Sequence, residues 1–154
     1  MDKLDILDKQ KKYLFSCVAT YYDEPLVIDH AKGHSVFDAD GKEYLDFFGG
    51  ILTVSVGHCN DKVTRAIDAQ THRVQHMSTL YANEPQVLLA EKLAQITPGR
   101  LEKSFFTNSG TEANETAVLL AQIYTKCQDV ITLRHSYSGR SYLALSLSAQ
   151  SSWR

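Results

Sequence analysis

Between Ser104 and Leu133 the chain changes its period twice, and that alternation restricts the fold more than any other feature. Ser104–Thr107 is a short apolar run, a helical pattern follows, and Val130–Leu133 is a second short run rich in β-branched residues. In the middle segment Ala113, Ala117, Leu120, Ala121 and Tyr124 recur at i, i+4, i+7, i+8 and i+11, which is one face of a helix over about 111–126. Strand, helix, strand in that order predicts a parallel pair inside an α/β layer, with the helical stripe laid against the sheet.

The flanking segments read as smaller elements. Residues 1 to about 20 form a weakly amphipathic helix or arm, and Leu26-Val27-Ile28 a short strand. "SVFDADGKEYLDFF" is two alternating runs joined at Asp38-Ala39-Asp40-Gly41, a hairpin because Asp-Gly accepts the positive φ of a tight turn. A helix starts at Asn60 or Asp61 with Val63, Ala66, Ile67 and Val74 on one face. Another opens at Asn83-Glu84-Pro85, carries Leu89, Leu93 and Ile96, and stops at Pro98-Gly99. A further helix begins from Gly139. No internal repeat, low-complexity segment or linker interrupts this order. Two parallel strands cannot be covered on both faces and remain stable alone, and the final "AQSSWR" carries no stop signal. The expectation is therefore a piece of a longer chain, with a partner that completes the sheet as the other possibility.

Composition sets outer bounds. A chain of 154 residues with net charge −2 and pI near 6.3 gives no electrostatic case for nucleic acid or an anionic membrane. Cys17, Cys59 and Cys127 are far apart, odd in number and outside any C-x-x-C pair, which fits a reducing compartment. The start lacks the marks of a signal or transit peptide, and no apolar run is long enough to span a bilayer. A soluble, cytoplasmic protein is expected.

A knot of small polar residues, Asn108-Ser109-Gly110-Thr111, stands where the first apolar run meets the helix. The helix tip lies past the carboxyl end of the predicted strand, where open α/β sheets bind ligands. Its first N–H groups lack intrahelical partners and sit at the positive end of the helix dipole. Gly110 permits close approach of an anion, and Ser109 and Thr111 add hydroxyls, so the knot can cradle a phosphate. Spacing alone favours a plain N-cap by Ser109 or Thr111, with Glu112 or Glu115 completing a box, over the cradle. The lysine of a nucleotide P-loop and the first glycine of a G-x-S-x-G elbow are both absent.

Three stretches, "YLDFFGGILTVSVGHCN" (44–60), "FFTNSGTEANE" (105–115) and "YSGR" (137–140), stand in order and spacing that resemble the class III pyridoxal-phosphate aminotransferases, in particular the alanine–glyoxylate aminotransferase-like branch. The resemblance implies an α/β chain forming the N-terminal part of a fold-type I transferase. Residues 1–58 would be an N-terminal arm and small-domain hairpin segment; residues 59–154 would begin the cofactor-binding large domain, its sheet incomplete. It implies pyridoxal 5′-phosphate as cofactor, with the phosphate on Ser109, Gly110 and Thr111. The pyridine ring would lie against Tyr137, with Ser138 beside it where the family usually has His. Gly49-Gly50-Ile51-Leu52 resembles the segment that borders the substrate pocket, which puts Ile51 and Leu52 there. The family's G-H-C-H-P or G-H-C-N-P appears as Gly57-His58-Cys59-Asn60-Asp61, without its proline.

Amino transfer with this cofactor needs a lysine in Schiff-base linkage and a carboxylate on the pyridinium nitrogen. No lysine here follows a strand at the expected place, and in the family both residues come downstream of the Tyr137 motif. No catalytic residue is therefore assigned, and the isolated chain is expected to be inactive. The resemblance implies amino transfer from an amino acid or amine to a 2-oxo acid, in a homodimer; the alternative is a non-catalytic phosphate-binding or interaction remnant. His72 and His76, one turn apart, lack a third metal ligand. His58-Cys59 reads as core or loop packing rather than a thiol–imidazole pair; Arg134 and Arg140, flanking the Tyr137 loop, read either as surface residues or as partners of a carboxylate or phosphate.

Overall fold

The computed structural model describes residues 2–18 and 20–149. The terminal stretch from Gln150, with its missing stop signal, lies outside them. The chain divides between Leu80 and Tyr81 into two compact units.

In the first unit, α1 (Lys3–Tyr13) precedes a three-stranded antiparallel sheet in the order β1 (Ile28–Lys32), β2 (Ser35–Asp38), β3 (Glu43–Leu45). The strand expected at Leu26–Ile28 starts at Ile28 and runs on to Lys32, because a two-residue turn at Gly33-His34 folds it back onto β2. The second hairpin is where Asp-Gly placed it, with Gly41 at φ 80. Asp38, buried, organises that turn: its carboxylate accepts from Asp40 N (3.0 Å), Lys42 N (2.9 Å) and the Tyr44 hydroxyl (2.8 Å).

After β3 comes a single turn, α2 (Gly49–Leu52), wound left-handed: Gly49, Gly50, Ile51 and Leu52 have φ of 56, 58, 59 and 64. Ile51 is β-branched, so this backbone carries strain that its surroundings must offset. Asp46 supplies much of the offset. It accepts from Phe48 N and Gly49 N, both at 2.8 Å, and from His58 Nε2 at 2.7 Å. His58 in turn exchanges two backbone hydrogen bonds with Gly33 (2.9 and 2.8 Å), tying the first hairpin turn to the start of α3 (Asp61–Thr71). Asn60 caps α3 through Lys62 N and Val63 N, which settles the choice between Asn60 and Asp61.

Hydrogen bonds hold both carboxylates below the usual range. For Asp38 the largest cause is the Lys42 amide and next the Tyr44 hydroxyl; for Asp46 it is the Gly49 amide, then His58. A folded pKa below the unfolded one gives stability that is present above about pH 4 and lost as pH falls through the folded value. Acidification below about pH 4 is thus expected to open the β2–β3 turn and α2 together, read as lost amide protection at Lys42 and Gly49. Asp38→Asn should remove the pH dependence at Lys42 and leave it at Gly49.

The second unit holds α4 (Glu84–Ile96), α5 (Gly110–Thr125) and α6 (Tyr142–Leu147). Pro85 sits in the first turn of α4, and α6 starts at Tyr142 rather than at Gly139 because Ser141 is its cap, accepting from Ala144 N. The parallel pair is a correction. Among the described residues neither Ser104–Thr107 nor Val130–Leu133 is a paired strand. The stripe on α5 does not lie on a sheet either, since Leu120 and Tyr124 remain 58% and 87% exposed. The physical reason is the one that made a two-stranded parallel sheet implausible: with no neighbouring strands and no second covering layer, pairing recovers too little burial to offset the ordering of both segments. Among the described residues, Val27 and Ala144 are the buried apolar side chains.

Candidate functional site

The knot at 108–111 folds as a cap and leaves two N–H groups of the helix start unused. Ser109 is the N-cap of α5, in extended backbone, and its Oγ accepts from Glu112 N at 3.2 Å. Glu112 reaches back so that its Oε2 accepts from Asn108 N (2.7 Å) and Asn108 Nδ2 (3.2 Å), while Ala113 N donates to Ser109 O. The cap is therefore Ser109, not Thr111, and its partner is Glu112, not Glu115. These bonds use the third and fourth N–H groups of the helix. The first two, on Gly110 and Thr111, have no protein acceptor among the described residues. Capping and anion binding are compatible here because they use different donors.

The tip is uncovered. Ser109 and Gly110 are exposed, Thr111 is half-buried, and a side chain at Gly110 would meet nothing within 4 Å. Beside it runs the 136–140 loop. Gly139 is buried at φ 130, and a Cβ there would stand 2.3 Å from Thr111 Oγ1 and 3.0 Å from the Cβ of Ala144. The loop backbone thus touches the helix tip with no room for a side chain between them. Asn114 Nδ2 donates to Ser138 O at 2.8 Å, and Ser138 N donates to the Oγ of buried Ser148 at 3.1 Å. Ser136 Oγ donates to Leu147 O, and Ala149 N to Ser136 O, fastening the same loop to the end of α6.

Of the residues singled out in the sequence, Ser109, Gly110, Thr111 and Ser138 are gathered at this corner, and Tyr137 belongs to the anchored loop with 54% of its surface exposed. Ile51 and Leu52 belong to the first unit, on the left-handed turn, 70% and 83% exposed. Asn114, Gly139 and Ser148 were missed. Asn114 was findable, since it stands one helical turn from Thr111 and must share its face. Ser148, in a weakly patterned run, gave no signal. Elsewhere His58 is engaged by Asp46 and His72 Nδ1 lies 2.9 Å from Asp68 O; among the described residues no group of three or more His, Cys, Asp or Glu side chains stands together.

Two bare N–H groups, a glycine with open space, a neighbouring hydroxyl and an exposed aromatic on a fixed loop fit a phosphate monoester carried by a flat ring. The family model for class-III aminotransferases matches residues 17–154, and the chain belongs to that family.

Among curated relatives it is 41% identical over 149 residues to alanine–glyoxylate aminotransferase 2 homolog 2, mitochondrial, of Arabidopsis thaliana, covering 97% of this chain and 31% of that protein. A thermostable (S)-enantioselective omega-transaminase from Thermomicrobium roseum superposes with a TM-score of 0.88 at 30% identity, over 99% of this chain and 37% of that one. A phospholyase from Arthrobacter, solved with phosphoethanolamine, gives a TM-score of 0.87 at 33% identity, over 94% and 34%. The chain spans about a third of the length of the proteins it matches. The family is pyridoxal-phosphate-dependent. No helix among the described residues is long and apolar enough to cross a membrane.

Proposed function

We propose that this chain supplies the phosphate-holding corner of a pyridoxal-phosphate aminotransferase that moves an amino group from an amino acid or amine to a 2-oxo acid. The observation that carries the reading is the pair of unpartnered N–H groups at Gly110 and Thr111, set beside the loop that bears Tyr137. Bound cofactor would supply the electron sink for reaction at the substrate α-carbon. The chain's part is to hold and orient. The N–H groups of Gly110 and Thr111, with the hydroxyls of Ser109 and Thr111, grip the phosphate oxygens; Tyr137 lies on the ring face and Ser138 flanks it. By the family resemblance alone, Ile51 and Leu52 are read as residues that meet a substrate side chain.

The lysine and aspartate that the chemistry demands belong to the part of the fold this chain does not span. The residues of this chain named here are read as binding residues, with no catalytic base among them. The family's homodimer and a cytoplasmic, reducing compartment complete the reading, the latter from three cysteines far apart in sequence and outside any C-x-x-C pair.

Pyridoxamine 5′-phosphate tests this, because it has no aldehyde to condense with surface lysines. It is expected to bind saturably, with pyridoxamine at least about tenfold weaker, the worth of one charge-assisted hydrogen bond or more. Equal affinities, or none, would sink the phosphate reading. Turnover of an amino acid and a 2-oxo acid by the chain alone would overturn the non-catalytic part.

A further inference from the structure

We infer that Asn114 and Ser148 are positioning residues that lock the Tyr137 loop to the tip of α5, so that the grip on phosphate and the platform for the ring form as one unit. The inference rests on the phosphate reading and adds to it the means by which two separate segments keep one spacing.

The peptide groups on both sides of Ser138 are the object being held. The N–H of Ser138 donates to Ser148 Oγ, and its C=O accepts from Asn114 Nδ2. Ser148 is itself fixed, since its hydroxyl donates to Ala144 O at 3.0 Å and it is 1% exposed. One residue further on, Gly139 fills the space between Thr111 and Ala144 so closely that no Cβ fits. Tyr137 immediately precedes this clamped stretch, so its backbone has little freedom to move relative to Gly110-Thr111. All of these holds act on the backbone. None uses the side chain of Ser138, so the loop keeps its place although that residue differs from the family's usual His.

A second consequence separates positioning from mere folding. Inorganic phosphate needs the helix tip alone, whereas a phosphorylated pyridine needs tip and ring platform at a fixed distance. Asn114 is exposed and touches the loop, not the tip N–H groups, so its loss should be felt by one ligand and not the other.

The experiment compares inorganic phosphate and pyridoxamine 5′-phosphate binding by the full chain and by Asn114→Ala, with Ser148→Ala as the second variant. Asn114→Ala is expected to weaken pyridoxamine phosphate about 3- to 10-fold, the range for one neutral hydrogen bond, and to leave inorganic phosphate within about twofold. Equal loss for both ligands, or no loss for either, overturns the positioning role. Should the unaltered chain bind neither ligand, the phosphate reading has failed, and the coupling is then decided by amide exchange in the chain alone. Asn114→Ala must speed exchange at Ser138, Gly139 and Arg140 while sparing α5. Unchanged exchange at those three amides refutes it.

Discussion

Gly139→Ala is expected to cost about 2–4 kcal/mol and to dislodge the Tyr137 loop. Two effects add. A methyl group at this position would be placed 2.3 Å from Thr111 Oγ1 and 2.9 Å from Thr111 Cβ, and such overpacking costs about 1–3 kcal/mol. The backbone at φ 130 also lies where a side chain is strained, which adds about 1 kcal/mol. Relief can come only by moving the loop away from α5, which stretches the hydrogen bond from Asn114 to Ser138. A urea titration followed by circular dichroism should show the loss, and pyridoxamine phosphate affinity should fall with it. Gly110→Ala is the control of opposite sign: the site is open and helical, so it should stabilise by up to about 1 kcal/mol. A Gly139→Ala chain as stable as the original would mean that the contact with Thr111 is not tight.

Gly110→Asp is expected to abolish phosphate binding without harming the fold. The new side chain meets nothing within 4 Å, and an acidic residue in the first turn of a helix is favourable by about 0.3–1 kcal/mol. The same carboxylate stands against the phosphate. A single negative charge about 5 Å from a dianion, in partly aqueous surroundings, opposes binding by on the order of 3 kcal/mol, or about 100-fold in affinity. Stability and binding should therefore move in opposite directions, a result that general destabilisation cannot imitate. Calorimetry with pyridoxamine phosphate and a parallel melting curve would decide it. Undiminished binding would place the anion elsewhere than the tip of α5.

Local chemistry was legible residue by residue. Asp-Gly at 40–41 announced a hairpin because the turn needs positive φ there, and Gly41 has it. Asn60-Asp61 and the Ser109–Thr111 knot announced helix starts because their side-chain oxygens can accept the N–H groups a helix start leaves over, and of these Asn60 and Ser109 do. The first hairpin was missed because Gly33 stands without a flanking Asp or Asn, so its turn was not distinguished from a loop. The parallel strands failed for a different reason. Val130–Leu133 has the composition of a strand, yet pairing depends on neighbours that composition does not supply, and Ile131 is 99% exposed. The left-handed α2 gave no warning either, because nothing in Gly-Gly-Ile-Leu requires Ile51 at φ 59.

What the sequence determined, then, is whatever depends on atoms a few residues apart: caps, the Asp-Gly turn, helical faces, and the bare donors at Gly110 and Thr111. Tertiary structure decided which of these meet. Asp46 finds His58 across twelve residues, and Asn114 finds Ser138 across twenty-four, because intervening turns bring them together. No periodicity encodes such distances, since hydrogen bonds and van der Waals contacts act over a few ångströms and the chain must fold before those ångströms exist.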